Sequence, residues 1–178
     1  MINTRPRIIA IAAVSGGGKT TITSRLNLEL DKSRAIYFDD YDLEGPEDII
    51  DWVDRGADCN EWNIDPIIID VKNLIDTNDL NYILLDYPFS RLHDNLKAID
   101  LTVFIDTPLD IAMARRLLRD FRDANTEVII NEISNYISRG RMGYERMLNK
   151  IKPNSDLVIE GSLPVNEIIR VIIDEINN

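Results

Sequence analysis

Residues 8–23 read IIAIAAVSGGGKTTIT, and no other stretch restricts the possible folds as much. Residues 8–14 are an unbroken apolar run with no alternation, the pattern of a strand buried on both faces. Ser15-Gly16-Gly17-Gly18 follow, then Lys19-Thr20-Thr21 and a helical pattern. Glycines let the backbone turn sharply with its N–H groups facing inward. A helix starting near Lys19 directs its positive end at the same point. The expected product is a cradle for a triphosphate, with Lys19 on the outer phosphates and the Thr20 hydroxyl on Mg²⁺. The usual spacing is G-x-x-x-x-G-K-[ST]. Here Ala13 stands at the first glycine, while Gly18-Lys19-Thr20 is intact.

The rest of the chain repeats this alternation of apolar run and helical pattern. Runs at 35–38, 82–86, 101–106 and 157–159 read as further strands. Helices are expected at 19–30, 47–53, 65–75, 108–119, 126–150 and 164–176. Pro46 is placed at the start of the 47–53 helix. Residues 55–63 read as polar loop, and Gly140 or Gly143 as a possible break in 126–150. Strand alternating with helix predicts an α/β fold around a five-stranded parallel sheet, with right-handed crossovers. Ligands in such sheets bind beyond the carboxyl ends of the strands.

Composition narrows the setting. The 178 residues fit one domain. No apolar run approaches the roughly 18 residues of a membrane span, so no membrane partner is expected. The first strand follows the N-terminus too closely for a signal peptide, and Cys59 is the only cysteine. A cytoplasmic protein without a disulfide is the expectation. A net charge of −11 argues against a nucleic-acid partner. The cations nevertheless gather, in Arg115-Arg116-Arg119-Arg122 and in Arg139-Arg141. A homo-oligomer is left open.

Polar residues fall just past the expected strands. Asp39 and Asp40 follow the second strand, where a carboxylate can accept a hydroxyl proton or hold Mg²⁺ through water. Turn chemistry is the plainer alternative. Asp86 closes the third strand, the usual form of an acid that supports Mg²⁺. Arg91 is read as a phosphate or substrate contact, or equally as a solubilising side chain; His93 is read as surface. Arg115 and Arg119 share a helix face, as do Arg116 and Arg119. Such like charges suit an anion, since phosphoryl transfer spreads charge over the equatorial oxygens. Pairing with Asp110, Asp120 and Asp123 is the alternative. Trp52, Trp62 or Tyr41 could stack on a base, or be core.

These residues resemble those of P-loop kinases of the uridine kinase and phosphoribulokinase family, a group that includes nicotinamide riboside kinases. The resemblance runs the length of the chain. Residues 15–21 are similar to the family's phosphate loop, which assigns Ser15, Gly16, Gly17, Gly18, Lys19, Thr20 and Thr21 to ATP. Asp39-Asp40-Tyr41-Asp42 resembles the family's Asp-x-Phe-Tyr, whose first Asp is the proposed base; that role falls to Asp39, with Asp40 as runner-up. Asp86 stands where the family has a Glu and takes its Mg²⁺ role beside Thr20 and Asp39. Residues 103–107 and 114–120 match the segment that opens a lid, expected around 115–143, and supplies phosphate-binding Arg115, Arg116 and Arg119. Residues 135–145 and 152–159 resemble the final helix and strand.

The resemblance implies a three-layer α/β/α P-loop NTPase fold with a helical lid, in one domain over 1–178. It implies Mg²⁺ as cofactor, ATP as co-substrate and a small-molecule acceptor. There are departures: Ala13, a shorter chain, and Trp62-Asn63-Ile64-Asp65-Pro66 where the family has a His-Pro-Asp-Ala-type segment. A nucleoside acceptor is expected, with Asp40, Tyr41, Trp62 and Arg91 as substrate contacts. Nicotinamide riboside, pantothenate or a nucleoside monophosphate are alternative acceptors. A nucleotide-binding regulator without an acceptor is a reading from another class.

Overall fold

The computed structural model describes residues 5–178. Five strands form one parallel sheet in the order β2-β3-β1-β4-β5. They are β1 Arg7–Ala13, β2 Ser33–Tyr37, β3 Tyr82–Asp86, β4 Leu101–Asp106 and β5 Leu157–Glu160. β1 is central and buried from Ile8 onward, as its unbroken apolar run requires. The chain leaves β1 toward β2 and β3, then returns on the opposite side to form β4. That reversal puts a crevice at the carboxyl end of β1, where α/β sheets bind ligands.

Side chains alternate across β1 and feed two separate cores. Ile9, Ile11 and Ala13 pack with Ile22 and Leu26 of α1 (Lys19–Glu29) and with α7 (Val165–Asn177). Ile8, Ala10 and Ala12 face the other layer, with Ile67 and Val71 of α3 (Asp65–Asp76) and Ala112 of α4 (Leu109–Asp120). α7 buries Ile168, Ile169, Ile172 and Ile176 on one face, the stripe a helix on a sheet needs. Each such isoleucine contributes about 1.5–3 kcal/mol by leaving water.

The remaining helices differ in detail from the sequence reading. α2 covers Ile49–Asp54, and Pro46 does not begin it. Asp48 does: its carboxylate accepts from the Ile50 and Asp51 amides at 2.8 and 3.1 Å, a stronger start than proline provides. The expected loop at 55–63 contains a short 3₁₀ turn, Cys59–Glu61. α5 (Thr126–Asn135) and α6 (Arg141–Arg146) are joined by a π-helical turn, Tyr136–Gly140, and a second π turn follows at Met147–Ile151. Neither Gly140 nor Gly143 interrupts the helical path; the chain widens there instead of breaking. α5 buries none of its residues and leaves Val128, Ile130 and Ile133 exposed. Among the described residues no helix is long and apolar enough to cross a membrane.

Candidate active site

Between β1 and α1 the chain makes a tight loop. The Gly17 amide donates to the Val14 carbonyl at 2.8 Å, and Gly16 and Gly18 take φ of 77° and 100°. Gly16 is required for a second reason. A Cβ there would stand 2.1 Å from the Ala112 carbonyl oxygen of α4. Below the loop, the Ala13 side chain is buried, and a Cβ on Gly17 would come within 2.8 Å of it. Ala13 is the last residue of β1 and has ordinary extended geometry, so a glycine is not needed at that position. Thr107, just past β4, holds the loop from beneath by donating its hydroxyl to the Gly17 carbonyl at 2.8 Å.

The loop lines a cavity of about 780 Å³ that includes Ser15, Gly16, Lys19, Thr20, Thr21 and Asp39. Lys19 is largely buried and its ammonium is ion-paired with the Asp86 carboxylate at the end of β3. Asp86 is 1 % exposed, and its Oδ1 is the oxygen that meets the Lys19 ammonium. Asp39 lies across the loop on the short turn after β2, its Oδ2 3.8 Å from the Lys19 ammonium. Its side chain is 79 % exposed, open to whatever enters the cavity.

α4 supplies three arginines with different surroundings. Arg115 lines the same cavity and donates to the Gly161 carbonyl at 3.4 Å. Arg119 also lines it, paired with its neighbour Asp120 and within electrostatic reach of Asp39. Burial works against the Arg116 charge, but Tyr144 and Glu132 hold its pKa above the ordinary value; its pair with Glu132 of α5 is 2.7 Å.

Arg116 faces a second cavity of about 430 Å³. Its wall is aromatic: Phe38, Trp52, Trp62 and Phe89 meet mostly edge-to-face, with Trp62 5.6 Å from Phe38 and 5.9 Å from Phe89. The two cavities share Val14, Ser15, Phe38, Pro88 and Met147. They therefore adjoin at Phe38, the residue before Asp39. A polyanion site thus opens beside an aromatic slot, with a carboxylate at the junction.

No family model matches the chain. Curated relatives do. A uridine kinase of Borrelia duttonii (strain Ly) is 26% identical over 179 residues, spanning 86% of this chain and 85% of the relative. One of Borrelia hermsii is 28% identical with the same coverage. Among solved structures, a deoxyadenosine kinase from M. mycoides with bound dATP superposes with a TM-score of 0.53 at 13% identity, covering 96% of this chain and all of that one. The chain is thus similar in sequence to uridine kinases over most of its length, and its fold is that of the deoxyadenosine kinase.

Some expected contacts lie elsewhere in the structure. Arg91, expected as a substrate contact, lines neither cavity. It sits at the amino ends of β4 and β5, donating to the Ile99 and Asp100 carbonyls at 2.9 and 2.8 Å and pairing with Asp156 at 2.7 Å. His93 is not on the surface; it is buried, its Nε2 3.0 Å from the Trp62 carbonyl. Asp40 and Tyr41 face away from the aromatic slot. They line a separate hollow along β2, where the Tyr41 hydroxyl donates to Asp70 at 2.6 Å. The one-residue step from Asp39 to Asp40 on a 3₁₀ turn points the two carboxylates into different cavities. The turn Tyr87-Pro88-Phe89 after β3 is expected from the sequence to wall the pocket, and Pro88 and Phe89 do line the slot; sequence reasoning missed Phe38, Met147 and the role of Thr107 under the loop. Thr107 could have been found by its place, one residue past an expected strand, and Phe38 by its place at the end of one. Met147 had no such signal.

Proposed function

We propose that this chain transfers the γ-phosphate of ATP to a hydroxyl of an uncharged nucleoside. The observation that carries the reading is the junction of the two cavities at Phe38–Asp39, with Lys19 on one side and the aromatic slot on the other. The loop amides and Lys19 hold the triphosphate, and Arg115 and Arg119 face the same space. Asp39 accepts the proton of the acceptor hydroxyl as it attacks the γ-phosphorus. Trp52, Trp62, Phe38 and Phe89 take the flat base. The names of the relatives support a nucleoside as acceptor.

The residues fit Mg²⁺. Asp86 presents a buried carboxylate beside the loop whose Oδ1 is met by the Lys19 ammonium, and the exposed Thr20 hydroxyl lies in the first turn of α1 with no hydrogen bond among the described residues. Mg²⁺ needs only one or two protein oxygens, taking the rest from phosphates and water. When bound it would neutralise charge on the outer phosphates. Lys19 then exchanges its apo partner Asp86 for phosphate oxygens.

α5 and α6 form the lid of a single kinase domain. α5 buries no residue, as a moving element requires. Its Glu132 reaches Arg116, so closing the lid aligns α4 over the loop. A phosphorylated acceptor is disfavoured. Arg116, Arg146 and Lys150, the cations of the aromatic slot, are engaged by Glu132 or by backbone carbonyls.

The test is ADP formation with Mg-ATP against uridine, cytidine, deoxyadenosine, nicotinamide riboside, pantothenate and the matching monophosphates. Stimulation by a nucleoside, reduced about 10²–10⁴-fold in Asp39→Asn, is the expected result. ATP binding without stimulation by any of them would leave a nucleotide-binding regulator. Preference for a monophosphate would overturn the reading of the slot.

A further inference from the structure

α2 forms one wall of the aromatic slot through Ile49, Ile50, Trp52 and Val53. It is only six residues long and has no basic residue in its last turn. A helix that short cannot hold itself together in water. Its C-terminus ends in a Schellman motif: the Ala57 amide donates to the Trp52 carbonyl at 2.8 Å, and the Gly56 amide to the Val53 carbonyl at 3.1 Å. Gly56 and Ala57 both take positive φ, 111° and 51°. Glycine does so freely; for alanine the left-handed region costs about 1–2 kcal/mol.

That turn aims carbonyl oxygens outward, and two cations from the far side of the slot meet them. The Lys150 ammonium donates to the Gly56 and Ala57 carbonyls at 3.0 and 2.8 Å. Arg146 donates to the Val53 carbonyl at 3.1 Å. Both sit at the negative end of α2, where a cation is favoured. They are carried by α6 and the π turn after it. The same α6 carries Tyr144, which touches Arg116, and the Arg116 Cβ lies against Gly16 of the phosphate loop. The slot wall, the lid and the loop are thus joined through side chains in contact.

We propose that Lys150 and Arg146 are positioning residues for the acceptor: from α6 and the turn that continues it they hold the α2 wall, so that the slot is assembled only while wall and lid move together. This rests on the aromatic slot being the acceptor site. Neither cation is then available to the acceptor itself. Their sequence separation from α2, over 90 residues in each bond, hides the link from local pattern.

The test compares Lys150→Met, Arg146→Met and Lys150→Arg with wild type. The first readout is amide hydrogen exchange of residues 49–62 in the ligand-free protein, which needs no acceptor. Loss of a charge-assisted bond predicts exchange about ten- to a hundredfold faster in Lys150→Met, with β1 and α1 unchanged. The second uses whichever nucleoside the acceptor panel identifies. Its KM should rise by a similar factor in both Met variants, with kcat and acceptor-free ATP affinity within about threefold of wild type. Lys150→Arg, which keeps the charge, should stay close to wild type in both readouts. Unchanged exchange at 49–62, or an unchanged KM in an active Lys150→Met, overturns the proposal. A wild type that phosphorylates no acceptor sinks the kinase reading, and the acceptor role with it, whatever exchange reports of the wall.

Discussion

The carboxylates at the phosphate loop differ in ways that separate their roles in an experiment. Asp39 is largely exposed and makes no hydrogen bond among the described residues, so Asp39→Asn should leave the melting temperature within about 1 °C while activity collapses. Asp86 is buried against Lys19, and removing the lysine strands it. Lys19→Met should cost the ligand-free protein about 3–5 kcal/mol in denaturant unfolding, in addition to losing turnover, because an unpaired buried charge is left behind. A Lys19→Met protein as stable as wild type would show that Asp86 is already reached by water. Arg91 offers a contrasting case far from the loop. Burial pushes the Asp156 pKa upward, but Arg91 and the Thr102 amide and hydroxyl outweigh it and hold the carboxyl at about 2. The folded value lies below the roughly 3.9 of an unfolded aspartate. The network therefore stabilises fully above about pH 4, and its contribution is lost as pH falls toward 2. Melting curves of wild type and Asp156→Asn should differ at pH 7 and converge at pH 2.

At the scale of elements, the helices divide into those anchored by apolar faces and those held by polar ties. α7 belongs to the first group. Ile172 is fully buried at the centre of its stripe, so Ile172→Ala should cost about 2–5 kcal/mol, measured by urea unfolding. α5 belongs to the second. It buries nothing, and Glu132 to Arg116 is its main tie to α4. Glu132→Gln keeps a hydrogen-bond acceptor for the largely buried Arg116, so it should change global stability by only about 1 kcal/mol. It should instead raise amide exchange in 126–140 while leaving the strands unchanged. The sequence reading of these elements succeeded where burial imposed the pattern. β1, β3 and β4 have uninterrupted apolar runs because both faces are covered, and α7 has a helical stripe because only one is. It went astray at α2 and at Gly140. At α2 the start is set by the Asp48 cap, and at Gly140 the chain widens into a π turn; neither leaves a periodic trace.

At the scale of the molecule, the site exists because a parallel sheet reverses direction beside β1. Loop, Asp39 turn, Asp86 and Thr107 all lie at the carboxyl ends of the strands and converge for that reason. The aromatic slot has a different origin. Phe38 follows β2, Trp52 is on α2, Trp62 follows the 3₁₀ turn and Phe89 follows β3. Only packing brings the four rings together. Ligands at the loop should stabilise the whole domain: Mg-ATP at a hundred times its Kd should add about 2.7 kcal/mol, read as a rise in melting temperature that Lys19→Met abolishes.

The sequence alone determined the alternation of strand and helix, the parallel sheet and the phosphate loop with Lys19 and Thr20. Each is written in residues adjacent along the chain, where an apolar run or a glycine cluster has one local physical meaning. The tertiary structure decided the rest. It turned Asp39 toward Lys19 and Asp40 away, took Arg91 to the far end of the sheet, buried His93, and set Lys150 against the carbonyls of Gly56 and Ala57. A side chain's partner across the fold depends on register, helix phase and loop path together, and none of these is encoded at the residue itself.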